Sequence, residues 1–378
     1  MPTLPRRPRI AYLITNSEIG GAQAHVAELL RAMHDRADVT LLAGGGGPLF
    51  DLAVDLGIPT VRLATMDNAL SPVKAIMAMQ ELMRALRQIS PDVIHTHSAK
   101  ASALGRVAGW LLRIPVIYTV HGFAFKPEAP WKQRTIARIV EWCLAPLTSR
   151  VICVADAERA LAAGLPIPSE RIIVIPNGIA DVAIRSTPTE HVNRIVTVMR
   201  LAAPKRPDVV ISAFFAAQLP DCELVIAGDG PLRDTLEEQA GQLVPGRVRF
   251  VGSVSEIPNL LASAQVFLLA SDHEGFPISV LEAMRAELPV VASDLPGIRE
   301  QLAGGRCGIL VQGNEPQAFA QALERLAEDT QQRAALANAA RVRWEEQFGL
   351  TPMVSATWNV YEQVLAERKP QRMRTSVL

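Results

Sequence analysis

The chain has 378 residues, 49% of them hydrophobic, and 38 Lys and Arg balance 38 Asp and Glu. This length allows more than one hydrophobic core, and the composition is that of a globular protein. We predict no nucleic-acid partner. No apolar stretch reaches the roughly 18 residues of a membrane-spanning helix, and the start lacks a signal peptide's long apolar region. The four cysteines are scattered without a CxxC pair, which excludes a disulfide framework. We therefore expect a cytoplasmic protein.

The first half alternates short apolar strands with helical patterns. The run RIAYLIT at 9–15 resembles a buried parallel strand, and Val26, Leu29, Leu30 and Met33 behind it share one helix face. Five further strands are predicted, at 39–44, 92–97, 115–121, 150–155 and 171–176. Such alternation is typical of right-handed crossovers and predicts a doubly wound parallel sheet of Rossmann type.

The same pattern begins again at residue 194. Six strands are predicted there, at 194–200, 223–228, 247–252, 265–271, 289–293 and 308–311, and helices follow over 316–346, with a break near 329, and 351–367. We therefore predict an α/β protein with two Rossmann-like domains, 1–187 and 188–350, that face each other across a cleft. Residues 351–378 would form a helix that packs back on the first domain, followed by a loose tail from 369.

Ligands of open parallel sheets bind at the carboxyl ends of the strands, so the residues that follow strands are the first candidates for a site. Gly20 and Gly21 follow the first strand and open a helix, where backbone N–H groups can meet an anion; a simple tight turn is the alternative. Arg200 ends another strand, and Lys205 follows five residues later. A guanidinium and an ammonium group at one strand end suit a diphosphate, unless both are solvated surface cations.

The stretch DHEGFPISVLE, 272–282, places two glutamates eight positions apart. Glu274 lies on the loop after a strand, and Glu282 lies on the helix that Pro277 opens. In addition, the N–H groups of Gly275, Phe276, Ile278 and Ser279 are candidate donors at the positive end of that helix. Carboxylates that accept from sugar hydroxyls, beside backbone donors that meet phosphate oxygens, would hold a polyhydroxylated anionic ligand. An ordinary surface helix with two acids is the alternative.

Five motifs in order resemble the retaining family-4 glycosyltransferases of GT-B fold. The stretch 274–282 resembles their Glu-x7-Glu motif, MRLAAPK their Gly-Arg-Leu…Lys segment, AGDGP their Gly-x-Gly-Pro turn, and IPNGI their interdomain strand. DVIHTHSAKASALGRVAG, followed by VHGFAF, resembles the branch that builds capsular polysaccharide, exopolysaccharide and O-antigen. Met199, Pro296 and Ala180 depart from the family pattern, which puts loop geometry in doubt but removes no charged group.

The resemblance implies a nucleotide-diphosphate sugar donor on the second domain and a saccharide acceptor on the first. Glu274 would hold the donor sugar, Glu282 the ribose, and Arg200 and Lys205 the leaving diphosphate. His121 would lie beside the reacting carbon. Gly21 and Gly230 would approach the donor, and Gly20, His97 and Lys100 are the candidates on the acceptor side.

Retention needs either a double displacement or a same-face reaction in which the departing phosphate helps deprotonate the acceptor. A double displacement needs a carboxylate on the far side of the anomeric carbon. No acid of the first domain stands out for that role, so we expect the same-face reaction.

A metal site and a nicotinamide-binding site are the other hypotheses for this sequence. His95 and His97 share a strand face and would reach a metal only with His25 or His121; because no acid or cysteine stands at supporting spacing, we predict no metal and no cofactor. Arg233 occupies the third glycine position of a dinucleotide fingerprint, which argues against a dehydrogenase. A catalytically inactive protein of the same fold remains the second alternative.

Two stretches of the first half combine basic and apolar residues. Residues 71–88 read as an amphipathic basic helix, and 126–142 mix tryptophans with Lys132, Arg134 and Arg138. Such helices bind anionic lipid, where a polyprenyl-linked acceptor would be found at the inner face of the membrane. A solvated face with core-packed tryptophans is the alternative.

Overall fold

The computed structural model describes residues 6–67, 69, 71–126 and 130–374, with side chains as far as residue 367. It divides into two compact units, Met1–Asn177 with Thr351–Leu378, and Gly178–Leu350. Each unit holds one parallel sheet. No helix in the described part of the chain is both long and apolar enough to cross a membrane.

The sheet of the first unit has seven strands in the order β3-β2-β1-β4-β5-β6-β7, all parallel. They are β1 (Arg9–Ile14), β2 (Asp38–Ala43), β3 (Thr60–Arg62), β4 (Val93–Thr96), β5 (Val116–Val120), β6 (Arg150–Cys153) and β7 (Ile172–Val174). Six match predicted strands. The edge strand β3 was not predicted, because its sequence Thr-Val-Arg has one apolar residue and forms no apolar run.

Seven helices surround this sheet: α1 (Gly21–Met33), α2 (Pro48–Asp55), α3 (Pro72–Ile89), α4 (Ala99–Leu112), α5 (Trp131–Leu144), α6 (Asp156–Ala162) and the C-terminal α14 (Leu350–Arg374). Apolar faces of α3 and α4 cover one part of the sheet, with Leu82, Leu86, Ala101 and Ala108 packed against Leu13. This packing explains the doubly wound order, since a parallel sheet needs helices on its faces.

The second unit repeats the plan with six parallel strands in the order β10-β9-β8-β11-β12-β13. The strands are β8 (Arg194–Val198), β9 (Glu223–Ala227), β10 (Val248–Gly252), β11 (Val266–Leu269), β12 (Val290–Ser293) and β13 (Ile309–Val311). The helices are α7 (Pro207–Ala216), α8 (Arg233–Leu243), α9 (Ile257–Ala262), α10 (Ile278–Arg285), α11 (Pro296–Gln301), α12 (Pro316–Glu328) and α13 (Thr330–Gln347). All six predicted strands are present.

The contacts divide the chain after Asn177, earlier than the boundary placed at 187 and 188. The intervening segment is bound to the second unit. Arg285 Nη1 donates to the carbonyl of Ala180 at 2.8 Å, and Ser186 N donates to the carbonyl of Ala286 at 2.8 Å. The sequence of a polar, strand-free segment does not indicate which of the two units the segment will form hydrogen bonds with.

Buried hydrogen bonds fasten the C-terminal helix α14 to the first sheet, as predicted for this segment. The Tyr361 hydroxyl lies 2.8 Å from the Tyr12 hydroxyl and 2.7 Å from His95 Nδ1, and all three residues are fully buried. Farther along the helix, Glu367 forms an ion pair with Arg150. An interior polar network is stable only when its members satisfy one another, so this contact fixes where the helix packs.

Helix α14 continues to Arg374, beyond the predicted end at 367 and into the segment expected to be loose. The Gln-Arg-Met-Arg sequence at 371–374 has high helix propensity, which agrees with the extension. Residues 375–378, the rest of the predicted tail, lie outside the described residues.

Candidate functional site

In the second unit, two loops meet where the strand order reverses. β8 and β11 are neighbours in the sheet although β9 and β10 lie between them in sequence. Arg206 N donates to the carbonyl of Ala270 at 3.0 Å, and Asp272 N donates to the carbonyl of Pro204 at 2.9 Å. These backbone bonds join the loop after β8 to the loop after β11. Open parallel sheets bind ligands at this reversal of strand order.

The joined loops bring Lys205 and Glu274 into an ion pair between Nζ and a carboxylate oxygen. Only 17% of the Lys205 side chain and 11% of the Glu274 side chain are exposed. An ion pair with so little water around it is screened less than a surface pair. An acid and a base predicted from separate motifs, 69 residues apart, therefore lie at one point.

Glycines in the loop after β9 hold the segment that carries Arg200. A Cβ on Gly228, whose φ is +131°, would lie 1.9 Å from the Met199 carbonyl oxygen. A Cβ on Gly230 would lie 2.4 Å from the Leu201 carbonyl oxygen. At both glycines the close approach is therefore made to the chain's own backbone. Arg200 itself is exposed and, in the described structure, has no ion pair.

The second glutamate follows on helix α10, which begins at Ile278 with Pro277 as its N-cap, one residue later than predicted. The N–H groups of Ile278 and Ser279 lie in the first turn, where a helix supplies no partner for them. Glu282 is half-buried on the same helix. Donors and a carboxylate thus lie on one short element.

Other parts of this loop are structural. The Phe276 ring is 3% exposed and packs edge-on against Phe348, with ring centroids 5.4 Å apart, so this side chain belongs to the core. Gly275 is held from the other side, because a Cβ on Gly297 would lie 1.5 Å from the Gly275 carbonyl oxygen. The start of α11 therefore packs directly against the loop after β11 and fixes its position.

Sequence reasoning missed Ser293 and Asn314. Ser271 N donates to Ser293 Oγ at 3.0 Å, and Ser293 Oγ donates to Asn314 Oδ1 at 2.9 Å. Asn314 Nδ2 in turn donates to Asp272 Oδ1 at 2.8 Å. These residues hold the loop after β11 in place. Ser293 ends β12 and Asn314 follows β13, so a search for polar residues at strand ends would have found both.

In the first unit, the corresponding reversal lies between β1 and β4. Thr15 Oγ1 lies 2.6 Å from Ser98 Oγ, which joins the segments after these strands. Gly20 precedes helix α1, and Gly21 is its first residue. A Cβ on Gly21 would meet nothing within 4 Å, whereas one on Gly20 would meet only the flexible Gln23 side chain, at 2.5 Å. The described structure thus leaves open space over Gly21.

The four-glycine run 44–47 after β2 was also missed. Ser17 N donates to the carbonyl of Gly44 at 3.0 Å, and Gly47 N donates to Ser17 Oγ at 2.8 Å. A Cβ on Gly44 would lie 1.8 Å from the Met66 carbonyl oxygen. The run therefore lets three loops pack together beside the end of β1. Consecutive glycines directly after a strand were the available signal.

Four histidines cluster at the carboxyl end of this sheet: His25 from α1, His95 and His97 from β4 and its end, and His121 after β5. His95 is fully paired, because Nδ1 contacts Tyr361 and Nε2 lies 2.7 Å from Thr119 Oγ1. By contrast, His25 Nδ1 and His97 Nε2 are buried without a hydrogen-bond partner. His121 Nε2 lies 3.4 Å from His97 Nδ1.

Burial lowers the pKa of all four imidazoles. The pKa of His25 falls to about 4, because desolvation outweighs its hydrogen bond with Asn177. Desolvation also holds the pKa of His95, His97 and His121 well below the ordinary value, and the neighbouring histidines lower it further. At pH 7 the cluster is therefore neutral and each ring keeps a lone pair.

The remaining candidate, Lys100, has partners of its own. Its Nζ donates to Asp67 Oδ1 at 3.3 Å and to the carbonyl of Ala69 at 2.8 Å. Asp67 is also paired with Lys74, and these contacts lower the pKa of its carboxyl to about 2. The charge of Lys100 is thus partly neutralised within the first unit.

Glu158, not selected from the sequence, supports the loop that follows His121. It is 1% exposed, accepts a hydrogen bond from Phe123 N at 3.0 Å and forms an ion pair with Lys126. Both contacts hold residues 123–126 against α6, which carries Glu158. A glutamate inside an amphipathic pattern gives no sequence signal that it is buried.

Two protein-family models match the chain in series. The model described as Glycosyltransferase Family 4 matches residues 19–181, and the model described as Glycosyl transferases group 1 matches residues 183–343. The border between the two matched ranges falls close to the structural division after Asn177.

Curated relatives align over most of the chain. The UDP-Gal:alpha-D-GlcNAc-diphosphoundecaprenol alpha-1,3-galactosyltransferase of Escherichia coli is 28% identical, over 85% of this chain and 88% of that protein. The D-inositol 3-phosphate glycosyltransferase of Corynebacterium urealyticum is 32% identical, over 68% of this chain and 69% of that protein.

Among solved structures, Anabaena HepE in complex with UDP and glucose superposes with a TM-score of 0.81. The match covers 93% of this chain and 99% of that one at 22% identity. At such low identity the likeness establishes the fold alone, which is the GT-B fold of two parallel-sheet α/β domains.

The contact between Gly297 and Gly275 can be tested by Gly297→Ala. The added methyl group overlaps a backbone carbonyl oxygen, so we expect a loss of about 1–3 kcal/mol in the free energy of unfolding, measured by urea denaturation. The control is Gly241→Ala on exposed α8, where a Cβ would meet nothing within 4 Å. It should stabilise by up to about 1 kcal/mol. Equal effects of the two substitutions would contradict the packing argument.

Proposed function

Because the chain belongs to the family-4 glycosyltransferases of GT-B fold, we propose that it transfers a hexose from a nucleoside-diphosphate sugar to a saccharide acceptor. The observation that carries this proposal is the ion pair of Lys205 and Glu274 at the strand reversal of the second unit, on the loop after β8 that also carries exposed Arg200. A loop with two cations, one of which meets a carboxylate, suits a ligand that is anionic at one end and polyhydroxylated at the other.

In the proposed complex the diphosphate lies against Arg200 and Lys205, and the sugar hydroxyls donate to Glu274. Glu282 binds the ribose, and the N–H groups at the start of α10 bind phosphate or hydroxyl oxygens. The Lys205–Glu274 pair gives this arrangement a specific property. Without ligand the two charges satisfy each other, and a bound donor replaces that contact with one partner for each.

The two cations also suit the step in which the diphosphate leaves the sugar. Negative charge grows on the diphosphate as the glycosidic bond breaks, and fixed positive groups lower the barrier most when they face the atoms where charge develops. We propose that Arg200 and Lys205 supply this stabilisation and that transfer requires no metal. The name of the Escherichia coli relative, which specifies UDP-Gal, supports a uridine nucleotide as the donor's leaving group.

The first unit is proposed to bind the acceptor. His121 lies beside the reacting carbon in this proposal, and Gly20, His97 and Lys100 lie on the acceptor side. Because burial lowers the pKa of His121, its ring is neutral at pH 7 and can accept or donate a hydrogen bond without carrying charge. The open space over Gly21 supports approach of the donor phosphates to its backbone.

We further propose that the sugar keeps its anomeric configuration through a same-face reaction. A double displacement needs a carboxylate nucleophile on the face opposite the leaving group. Glu158, the buried acid beneath the loop after His121, is already bound to Lys126 and Phe123 N. In the same-face reaction the new bond forms as the old one breaks, and the departing phosphate oxygen accepts the acceptor's hydroxyl proton.

A lipid-linked acceptor in cell-surface polysaccharide synthesis fits both the Escherichia coli relative, whose name contains a diphosphoundecaprenol acceptor, and one surface of the first unit. Helix α5 buries a single residue, Glu141, which pairs with fully buried Arg106 at 2.8 Å. The apolar side chains of α5 point outward instead, with Trp131 67% and Trp142 57% exposed. The alternative of core-packed tryptophans is therefore wrong.

Exposed apolar side chains also lie on α4, which contacts α5, and on α3, which contacts α4. Exposed side chains on α5 are Trp131, Ile136, Ile139, Val140 and Trp142; on α4, Trp110 and Leu111; and on α3, Val73, Ile76 and Met77. The exposed charges on α5 are all positive, Lys132, Arg134 and Arg138, because its one acid is buried. Apolar side chains among cations match an anionic bilayer. We propose that α5 contacts the inner face of the membrane.

Nucleotide binding tests the donor site. In EDTA, the protein should bind UDP by calorimetry, and Glu282→Gln should weaken UDP binding by roughly tenfold to hundredfold, since a charged hydrogen bond to the ribose is lost. Glu274→Gln should bind UDP at least as tightly, because Lys205 loses its competing partner, while sugar transfer collapses.

The matched control is Glu328→Gln, an exposed acid on α12 that should change neither property. Absence of binding to UDP, GDP and ADP alike would favour the catalytically inactive alternative. Weaker UDP binding by Glu274→Gln would contradict the proposed competition with Lys205.

Retention is tested on the product. With a UDP-α-sugar donor, the transferred residue should be α-linked by NMR, and mass spectrometry of the protein during turnover should find no covalent sugar. A β-linked product would refute retention, and a trapped glycosyl adduct would refute the same-face reaction.

Membrane contact is tested by co-sedimentation with liposomes containing anionic phospholipid at low salt. The wild-type protein should sediment and be released by high salt, whereas Trp131→Ser with Trp142→Ser should stay in the supernatant, since their rings no longer enter the interface. Phe215→Ser, an exposed apolar side chain on α7 of the second unit, is the control and should sediment like the wild type. Equal sedimentation of all three proteins would exclude α5 as the contact.

A further inference from the structure

The histidine cluster of the first unit contains a feature that sugar transfer does not require. One nitrogen of each of His25, His97 and His121 lies within 4.8 Å of the others, although α1, the end of β4 and the end of β5 carry them. Sequence reasoning expected no metal because no acid or cysteine stood at supporting spacing. The structure groups both of the histidines considered as partners, His25 and His121, with His97 and leaves His95 out of the group.

We propose that His25, His97 and His121 form a binding site for a divalent late transition-metal cation of the Zn²⁺ type. Three imidazoles are a sufficient ligand set, since histidine-only sites with one open position hold Zn²⁺ in other proteins. Contraction from 4.8 Å to the spacing around one ion requires only a small movement of each ring, because bound imidazole nitrogens lie about 2 Å from Zn²⁺.

The unpaired nitrogens are the second, independent observation. Buried polar atoms normally have a hydrogen-bond partner, and an exception calls for an explanation such as an ion. His25 is 2% exposed with Nδ1 unpaired, and His97 is fully buried with Nε2 unpaired. Their neighbour His95 uses both ring nitrogens and has no lone pair left for an ion.

The surroundings are those of a metal ligand set. A hydrogen bond between His25 and Asn177 helps to orient one of the three rings, as second partners do around metal-binding histidines. Neutral nitrogen donors favour Zn²⁺, Co²⁺, Ni²⁺ or Cu²⁺ and disfavour Mg²⁺ and Ca²⁺, which prefer oxygen.

Cobalt is the probe, because tetrahedral Co²⁺ absorbs visible light and Zn²⁺ does not. The full-length protein without a histidine tag, stripped with EDTA, should bind one Co²⁺ with tetrahedral absorption bands. Zn²⁺ should displace it, and Mg²⁺ should not. His97→Asn and the partly exposed His121→Asn should each weaken Co²⁺ binding at least about tenfold. His191→Asn, an exposed histidine of the second unit, is the control and should bind like the wild type.

Thermal unfolding separates loss of the site from loss of the fold. Zn²⁺ should raise the melting temperature of the wild type and of His191→Asn, because a ligand that binds only the folded state stabilises it. His121→Asn should melt cooperatively without metal and gain nothing from Zn²⁺. Absence of tetrahedral Co²⁺ bands, sulfur-to-cobalt absorption from cysteine ligands, or full-affinity binding by both ligand variants would each overturn the proposal. None of these readouts depends on sugar transfer.

Discussion

Backbone hydrogen bonds between the loops that follow β8 and β11 are the constraint on which the second unit's candidate site depends. The strand order places these ends side by side, and the bonds of Arg206 N and Asp272 N lock the loops together. Only then can Lys205 reach Glu274. Other close contacts position the chain around this junction. Gly228 and Gly230 pack against the backbone on either side of Arg200, and Gly297 packs against Gly275.

In the first unit the main constraint is the burial of polar histidine rings. His95 is a satisfied core histidine, joined to Tyr361 and Thr119, and this network also holds the C-terminal helix on the sheet. His25 and His97 lie within a few ångströms of it with unpaired nitrogens. The hydrogen-bond partners therefore divide these histidines into two groups. His95 has a structural role, whereas His25 and His97 keep a ring nitrogen available to a ligand.

Helix α5 shows the usual rule of burial reversed. It places an acid inside, paired with Arg106, and leaves tryptophan and isoleucine outside among basic residues. Burial of an ion pair gives little net stability, because desolvation offsets the attraction. The exposed apolar area likewise needs a cause outside the folded chain. The membrane contact proposed for α5 would provide that cause.

The sequence by itself determined the two parallel sheets, twelve of their thirteen strands and the motifs of the family, because apolar runs of four or more residues and glycine turns act locally. It missed β3, in which Val61 is the one apolar residue, and it placed the unit boundary late, since the hydrogen bonds of 178–187 are long-range. Tertiary structure alone decided that Lys205 pairs with Glu274, that Glu158 lies buried beneath the loop after His121, and that α1 brings His25 to His97. Strand order and helix packing fix such distances between residues far apart in sequence, and no local pattern encodes them.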